Sequence, residues 1–283
     1  MITTDLTIFD MKSDNLSLSP VEATVIYAYG CKFHCQNCLY WADFERIVPY
    51  TISPSDCAKK IKDTDNKCVV LTGGNPLNQA GPFADMLEIL KRESDSGIIL
   101  YCGETEEELN KLIKEDSNVK RLMSMVDTAI TGRYEMDKDV GNRYIGSNNQ
   151  KVLFVTDRYI SFKDMYGMSG REIVIRFGFT DRLFMGYSGV PSKAQEALFE
   201  LLTTLVVNRE YSTNASASYH NILQHGRETH LTSVLGEIVT IVSDGSNVNI
   251  RVPEIDPSSV ESMASMIAEQ LIMKYGREVY GSS

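Results

Sequence analysis

An α/β fold followed by a smaller α+β domain is predicted by three features of the sequence. Short apolar runs alternate with helical patterns through the first half, all six cysteines lie within the first 102 residues, and the texture changes beyond residue 157. The chain is therefore divided into a first domain over residues 1–157 and a second over 158–283, with the boundary near Val155 to Lys163.

The first strand is read from Glu22 to Ala28 (EATVIYA), an apolar, β-branched run that leads to Gly30. Ser53-Pro54 opens a helix to Ile61, with proline at the first turn, where its missing N–H costs nothing. Cys68 to Leu71 (CVVL) is a short buried strand ending at Thr72-Gly73-Gly74. Phe83 to Arg92 places Phe83, Met86, Leu87 and Leu90 on one helical stripe. Gly97 to Tyr101 is the next strand, Glu106 to Lys114 the next helix, and Met125 to Ile130 and Lys151 to Val155 complete the strands of this half. Repeated strand–helix units form either an open sheet or a barrel, and spacing alone does not choose between them.

The second half carries no cysteine. Glu172 to Phe177 and Arg182 to Gly186 read as strands, and Ser192 to Val207 as a helix opened by a capping box of Ser192 and Gln195. Tyr211 to Glu228 is polar and reads as a loop, and His220, His225 and His230 are placed in a solvated segment because their five-residue spacing suits neither a helix face nor a zinc motif. Glu237 to Val242 and Asn247 to Val252 flank Asp244-Gly245, a hairpin signal. Ser258 to Tyr275 is a second helix, capped by Ser258 with Glu261 three residues on and ended by Gly276.

With 43% apolar and 23% charged residues, the chain has the balance of a globular protein with a core. A net charge of −10 and the lack of any Lys/Arg run argue against nucleic acid as a partner. No stretch approaches the roughly 20 apolar residues of a membrane span, and Asp5 and Asp10 do not suit a signal peptide, so no membrane and a cytoplasmic location are expected.

Three of the cysteines fall within eight positions, in Gly30-Cys31-Lys32-Phe33-His34-Cys35-Gln36-Asn37-Cys38. Spacing of C-x3-C-x2-C directly after a strand puts three thiolates on one tight loop. Three thiolates can hold three irons of a [4Fe–4S] cube and leave the fourth iron open to a chelating substrate, such as the amino and carboxylate groups of a methionine moiety. A zinc site of Cys31, Cys35, Cys38 and His34 is allowed by ligand type, but His34 and Cys35 are neighbours and would both have to turn to one metal. A disulfide or inert cysteines are the remaining alternatives. Cys57, Cys68 and Cys102 sit singly in helix or strand contexts and read as buried small hydrophobes.

At this loop the sequence resembles the radical S-adenosylmethionine superfamily, whose defining motif is the same three-cysteine spacing. Asn37 stands where many members carry an aromatic residue. Thr72-Gly73-Gly74-Asn75-Pro76 resembles the superfamily's Gly-Gly-Glu-Pro turn, with Asn75 in place of the acid. Further on, Tyr101-Cys102-Gly103-Glu104-Thr105, then Val126-Asp127 with Gly132-Arg133-Tyr134, and finally Gly146-Ser147-Asn148-Asn149-Gln150-Lys151 resemble segments of the anaerobic ribonucleotide reductase activating proteins, over roughly residues 20–155. The resemblance implies a partial β/α barrel with the cluster at the strand C-termini. It implies Cys31, Cys35 and Cys38 as cluster ligands and Asn37, Leu39, Gly73, Gly74 and Asn75 as contacts to S-adenosylmethionine. It also implies an oxidoreductase that makes a glycyl radical on the catalytic subunit of an anaerobic ribonucleotide reductase, fed by a low-potential donor such as flavodoxin. The alternatives are a small-molecule radical synthase of the deazapurine-forming kind and a non-catalytic regulator that keeps the fold. For residues 158–283 the expectation is an accessory domain that docks a partner or dimerises.

Overall fold

The computed structural model describes residues 4–15, 17–36, 38, 48–179, 183–188, 194–195, 197–202, 228–232, 238–243 and 247–276. They fall in two compact units, Met1–Ser169 and Gly170–Ser283.

The first unit is a mixed α/β structure built on a seven-stranded sheet of order β3-β1-β2-β4-β5-β6-β7. Its strands are β1 (Leu6–Asn15), β2 (Ala23–Ala28), β3 (Tyr50–Ile52), β4 (Cys68–Gly73), β5 (Gly97–Cys102), β6 (Thr128–Thr131) and β7 (Lys151–Phe154). The helices are α1 (Pro54–Asp63), α2 (Ala80–Glu93), α3 (Glu106–Glu115), α4 (Ser117–Met123) and the short α5 (Lys163–Tyr166). β2, β4, β5 and β6 run parallel, with Val25 beside Val70, Val70 beside Ile99, and Ile99 beside Thr128.

Helix starts follow from local chemistry. The Ser53 hydroxyl accepts the Asp56 N–H at 3.1 Å to cap α1, and Pro54 follows it. Thr105 and Glu108 close a reciprocal capping box on α3, and the Asp116 carboxylate accepts the Asn118 N–H at 2.8 Å to start α4.

Because strand side chains alternate, the sheet has two apolar faces. On one, Ile8, Ile26, Val69, Leu71, Ile98 and Leu100 meet Phe83, Met86, Leu87 and Leu90 of α2. Each of these four α2 side chains is fully buried, worth about 1.5–3 kcal/mol relative to exposure. The opposite face, with Val25, Val70, Ile99 and Ile130, is covered by Leu18, Tyr144, Ile145, Tyr159 and Tyr166. Parallel strands buried on both sides read as near-continuous apolar runs, as these do. Tyr159 and Tyr166 tie the segment after β7 into this core.

In the first unit two findings differ from the sequence reading. β1 and β3 add an antiparallel edge that the apolar pattern did not show; β1 has irregular register between Ile8 and Asp10 and again between Lys12 and Asn15, which breaks its alternation. β7 pairs antiparallel with β6, Thr128 against Phe154. Between them lie a 3-10 turn, Met136–Lys138, and loops. A parallel pairing needs a longer crossover, usually helical.

The second unit is an antiparallel sheet of order β10-β11-β12-β8-β9, made of β8 (Ile173–Phe179), β9 (Leu183–Ser188), β10 (Glu228–Thr232), β11 (Ile238–Ser243) and β12 (Asn247–Val252). Ile173, Ile175, Ile250 and Val252 pack with Leu198 and Leu202 of a helical segment and with Met263, Ala264 and Ile267 of the closing helix Val260–Gly276. Gln195 donates Nε2 to the carbonyls of Arg171, Val252 and Pro253 at 2.8–3.1 Å, while Ser192 lies outside the described residues. Also outside them are residues 203–207 of the expected helix, His220, His225 and the Asp244-Gly245 turn. His230 is on β10 opposite Thr240, not in a loop. Asp256, rather than Ser258, caps the turn that leads into the closing helix. Among the described residues no helix is long and apolar enough to cross a membrane.

Candidate metal centre

The carboxyl ends of β2, β4, β5 and β6 meet at one edge of the first unit, the usual place for a ligand on a parallel sheet. The cysteine loop leaves β2 through Gly30, whose φ of +88° suits glycine. Gln79 braces that exit: its Nε2 donates to the carbonyls of Tyr29 at 2.9 Å and Thr7 at 2.8 Å, and its Oε1 accepts the Thr7 N–H at 2.7 Å.

The β4 end is bonded directly to the same loop. Gly74 N–H donates to Ala28 O at 2.7 Å and Asn75 N–H to Gly30 O at 2.8 Å. A Cβ on Gly73 would lie 2.6 Å from Ala28 N and 2.7 Å from Ala28 O, and Gly73 has φ +97°. Only glycine lets these two strand ends close.

Phe33, inside the cysteine loop, lies against Gly103 after β5; a Cβ there would come within 2.3 Å of the ring. The Arg133 guanidinium sits 4.3 Å from the Phe33 ring centroid and pairs with Glu108 at 2.9 Å. The loop is thus fastened to the ends of β5 and β6. Arg133 is itself held by the Gly146–Gln150 segment. The Gln150 Oε1 accepts the N–H of Gly146 at 2.7 Å and of Ser147 at 3.2 Å, its Nε2 donates to Gly132 O at 2.8 Å, and Asn149 Nδ2 donates to Arg133 O at 2.8 Å. This motif staples the loop after β6 in place. Asp127, by contrast, lies at the amino end of β6, accepting from Ile98 N–H at 2.8 Å and Thr156 Oγ1 at 2.6 Å, where it holds the sheet together.

Cys31, Cys35 and Cys38 are all partly exposed, and none of the six cysteines is in a disulfide. Cys38 N–H donates to Cys35 O at 3.2 Å, closing the turn between the second and third thiols. Burial raises the Cys31 thiol above its ordinary value, against a lowering backbone hydrogen bond from Phe33, and Cys38, Cys35 and Glu104 add to the rise. Metal uptake there must displace a proton. Among the described residues no three His, Cys, Asp or Glu side chains converge as the ligands of one ion do. The three partly exposed thiols on one loop are the donor set that would hold three corners of a [4Fe–4S] cube.

Gly73, Gly74 and Asn75 stand beside this loop; Asn37 and Leu39 lie outside the described residues. Asn75 is fully buried and its Nδ2 donates to both carboxylate oxygens of Glu104 at 3.0 Å. Its Oδ1 has no hydrogen-bond partner among the described residues. Glu104, only 1% exposed, is paired with Lys32 Nζ at 2.7 Å. The sequence reading matched Glu104 within a segment but gave it no role. Its only sequence signal is its position, two residues past a buried strand; its partners come together only in the fold.

Cys57, Cys68 and Cys102 are buried apart from the loop. Burial pushes the Cys57 thiol up to about 12 and raises Cys68 and Cys102 as well. Alkylation of metal-free native protein with iodoacetamide should therefore modify Cys31, Cys35 and Cys38, and reach the other three only after unfolding. Equal labelling rates for all six would contradict the placement.

Residues 22–153 match the family model described as a 4Fe-4S single cluster domain. No curated protein matches the chain. The match runs from β2 through the cysteine loop to β7. Together with the thiol loop it supports a bound [4Fe–4S] cluster and fits an iron–sulfur protein of the radical S-adenosylmethionine type.

Proposed function

We propose that this chain cleaves S-adenosylmethionine reductively and generates a glycyl radical on an anaerobic ribonucleotide reductase. The observation that carries the reading is the three-cysteine loop fastened to the carboxyl ends of a parallel sheet, beside a buried amide and carboxylate, Asn75 and Glu104.

Cys31, Cys35 and Cys38 would hold a [4Fe–4S] cluster, which would supply the electron for reductive cleavage of S-adenosylmethionine to methionine and for removal of a hydrogen atom from a glycine Cα, leaving 5′-deoxyadenosine and a glycyl radical. Gly73 and the hydrogen bonds of Gly74 and Asn75 keep the two strand ends close, and Phe33 and Arg133 hold the cysteine loop over β5 and β6. The buried polar pair offers acceptors for the methionine headgroup. We read the seven-stranded sheet as the partial barrel of this superfamily. Its second face is filled by Tyr144, Tyr159, Tyr166 and their neighbours, which favours a substrate that approaches from outside, such as a protein loop. Residues 158–283, which contain the second unit, are assigned to partner docking or dimerisation, and a flavodoxin-like protein to electron supply.

The test is anaerobic. Cluster-loaded, reduced protein mixed with S-adenosylmethionine and a reductase should give one 5′-deoxyadenosine per glycyl radical, read by chromatography and electron paramagnetic resonance. 5′-Deoxyadenosine with no radical on the reductase, and with consumption of a small molecule instead, would move the assignment to a small-molecule synthase. No cleavage by an intact cluster would favour a non-catalytic regulator.

A further inference from the structure

Three side chains meet at the ends of β4 and β5 in a way that cluster binding does not require. Glu104 is only 1% exposed, and Asn75 is completely buried beside it. The Asn75 amide nitrogen is directed at that carboxylate, with Nδ2 at 3.0 Å from each oxygen. The amide is thereby oriented, and its Oδ1 is left with no partner among the described residues. A buried carboxylate needs a cation, and here the cation comes from the cysteine loop itself: Lys32 Nζ, 2.7 Å from Glu104 Oε1.

The Lys32 side chain is 52% exposed, unlike the pair it serves. Its ammonium can return to water at small cost, because the flexible stem already reaches solvent. A carboxylate oxygen next to an unused amide oxygen is a receptor for a compact donor with several N–H groups. An alkylammonium meets that description; a carboxylate, a phosphate or a flat ring does not.

On the cofactor reading Glu104 and Asn75 receive the ammonium group of S-adenosylmethionine; we propose that Lys32 fills their site with its own ammonium until the cofactor displaces it. The inference rests on the cofactor reading above. It makes Lys32 a built-in competitor. Without cofactor it neutralises a buried charge and latches the cysteine loop to β5. With cofactor it is exchanged one cation for one cation, so the net charge of the site is unchanged. Removing the competitor should tighten cofactor binding, whereas a merely structural lysine would loosen it.

The experiment is anaerobic titration calorimetry of the cluster-loaded full chain, with iron and sulfide content measured for each variant. The probes are S-adenosylmethionine and an analogue that lacks the α-amino group. Lys32→Met should bind S-adenosylmethionine roughly two- to fivefold tighter, the scale of an ion pair whose cation is half-exposed. Glu104→Gln should bind it about tenfold more weakly, as expected for loss of a charged hydrogen-bond partner. The analogue should respond to neither substitution. Lys32→Gln gives the same comparison where the apolar replacement impairs cluster loading. Unchanged or weaker binding by both Lys32 variants, or an equal shift with the analogue, would overturn the proposal. If the unaltered protein with an intact cluster binds no S-adenosylmethionine, the cofactor reading itself falls; if it binds and the Lys32 variants gain nothing, only the competitor falls.

Discussion

Cys35→Ala should abolish cofactor cleavage while leaving the polypeptide folded. Cys35 is the middle thiol of the loop, and its carbonyl accepts the N–H of Cys38, so the substitution removes a ligand without touching that hydrogen bond. Loss of outer partners at metal sites already costs up to about 100-fold, and loss of a ligand from a three-thiolate site should cost at least ~100-fold in 5′-deoxyadenosine formed. Stability of the metal-free protein should stay within about 0.5 kcal/mol, because the side chain is partly exposed and outside the core. Cys57→Ala supplies the contrast. Its thiol is fully buried between α1 and the sheet, so it should lower stability by about 1 kcal/mol and leave iron content unchanged. Denaturant titration and iron analysis on the two variants separate the roles; unchanged turnover in Cys35→Ala would remove the site assignment.

Gly73→Ala should be the most damaging single methyl group in the first unit. The added Cβ would meet Ala28 backbone atoms at 2.6–2.7 Å, and the φ of +97° is strained for alanine. Backbone strain and overpacking together give a cost of roughly 2–5 kcal/mol. Relief requires β2 and β4 to part at their carboxyl ends, which breaks Gly74 N–H to Ala28 O and Asn75 N–H to Gly30 O. Cluster loading should fall along with stability, since the loop exit moves. Gly167→Ala is the control: nothing lies within 4 Å of a Cβ there and its φ is −94°, so its denaturation midpoint should be unchanged. Equal midpoints for the two variants would mean that the strand ends do not close as described.

Much of this arrangement was legible in the sequence where one signal dominated. The parallel strands announced themselves because burial on both faces makes them uninterrupted apolar runs, and α2 because Phe83, Met86, Leu87 and Leu90 share one stripe. The cysteine loop was legible because its spacing is local. β1 was not, since its irregular register mixes faces and puts Asp10 and Lys12 between apolar residues. The antiparallel turn of β7 was also hidden: an apolar run carries no direction, and only the lack of a helix between Thr131 and Lys151 hints at it. Glu104 was missed because its meaning is relational. A glutamate after Gly103 looks like a helix-start residue beside Thr105, and only the fold brings it to Asn75 and Lys32, 29 residues away in the first case. The Gly146–Gln150 segment shows the reverse. Its residues were singled out for resemblance, and the structure gives them a positioning task through Gln150 and Asn149.

The claim on which the rest depends is that three thiolates bind a cube and leave one iron for the methionine headgroup. Mössbauer spectroscopy of oxygen-free protein loaded with isotopic iron and sulfide reads this directly. The expected result is one distinct iron among the four of a [4Fe–4S] cluster, with its isomer shift changed on adding S-adenosylmethionine while the other three stay put. Four equivalent irons that ignore the cofactor, or zinc in place of iron, would contradict it.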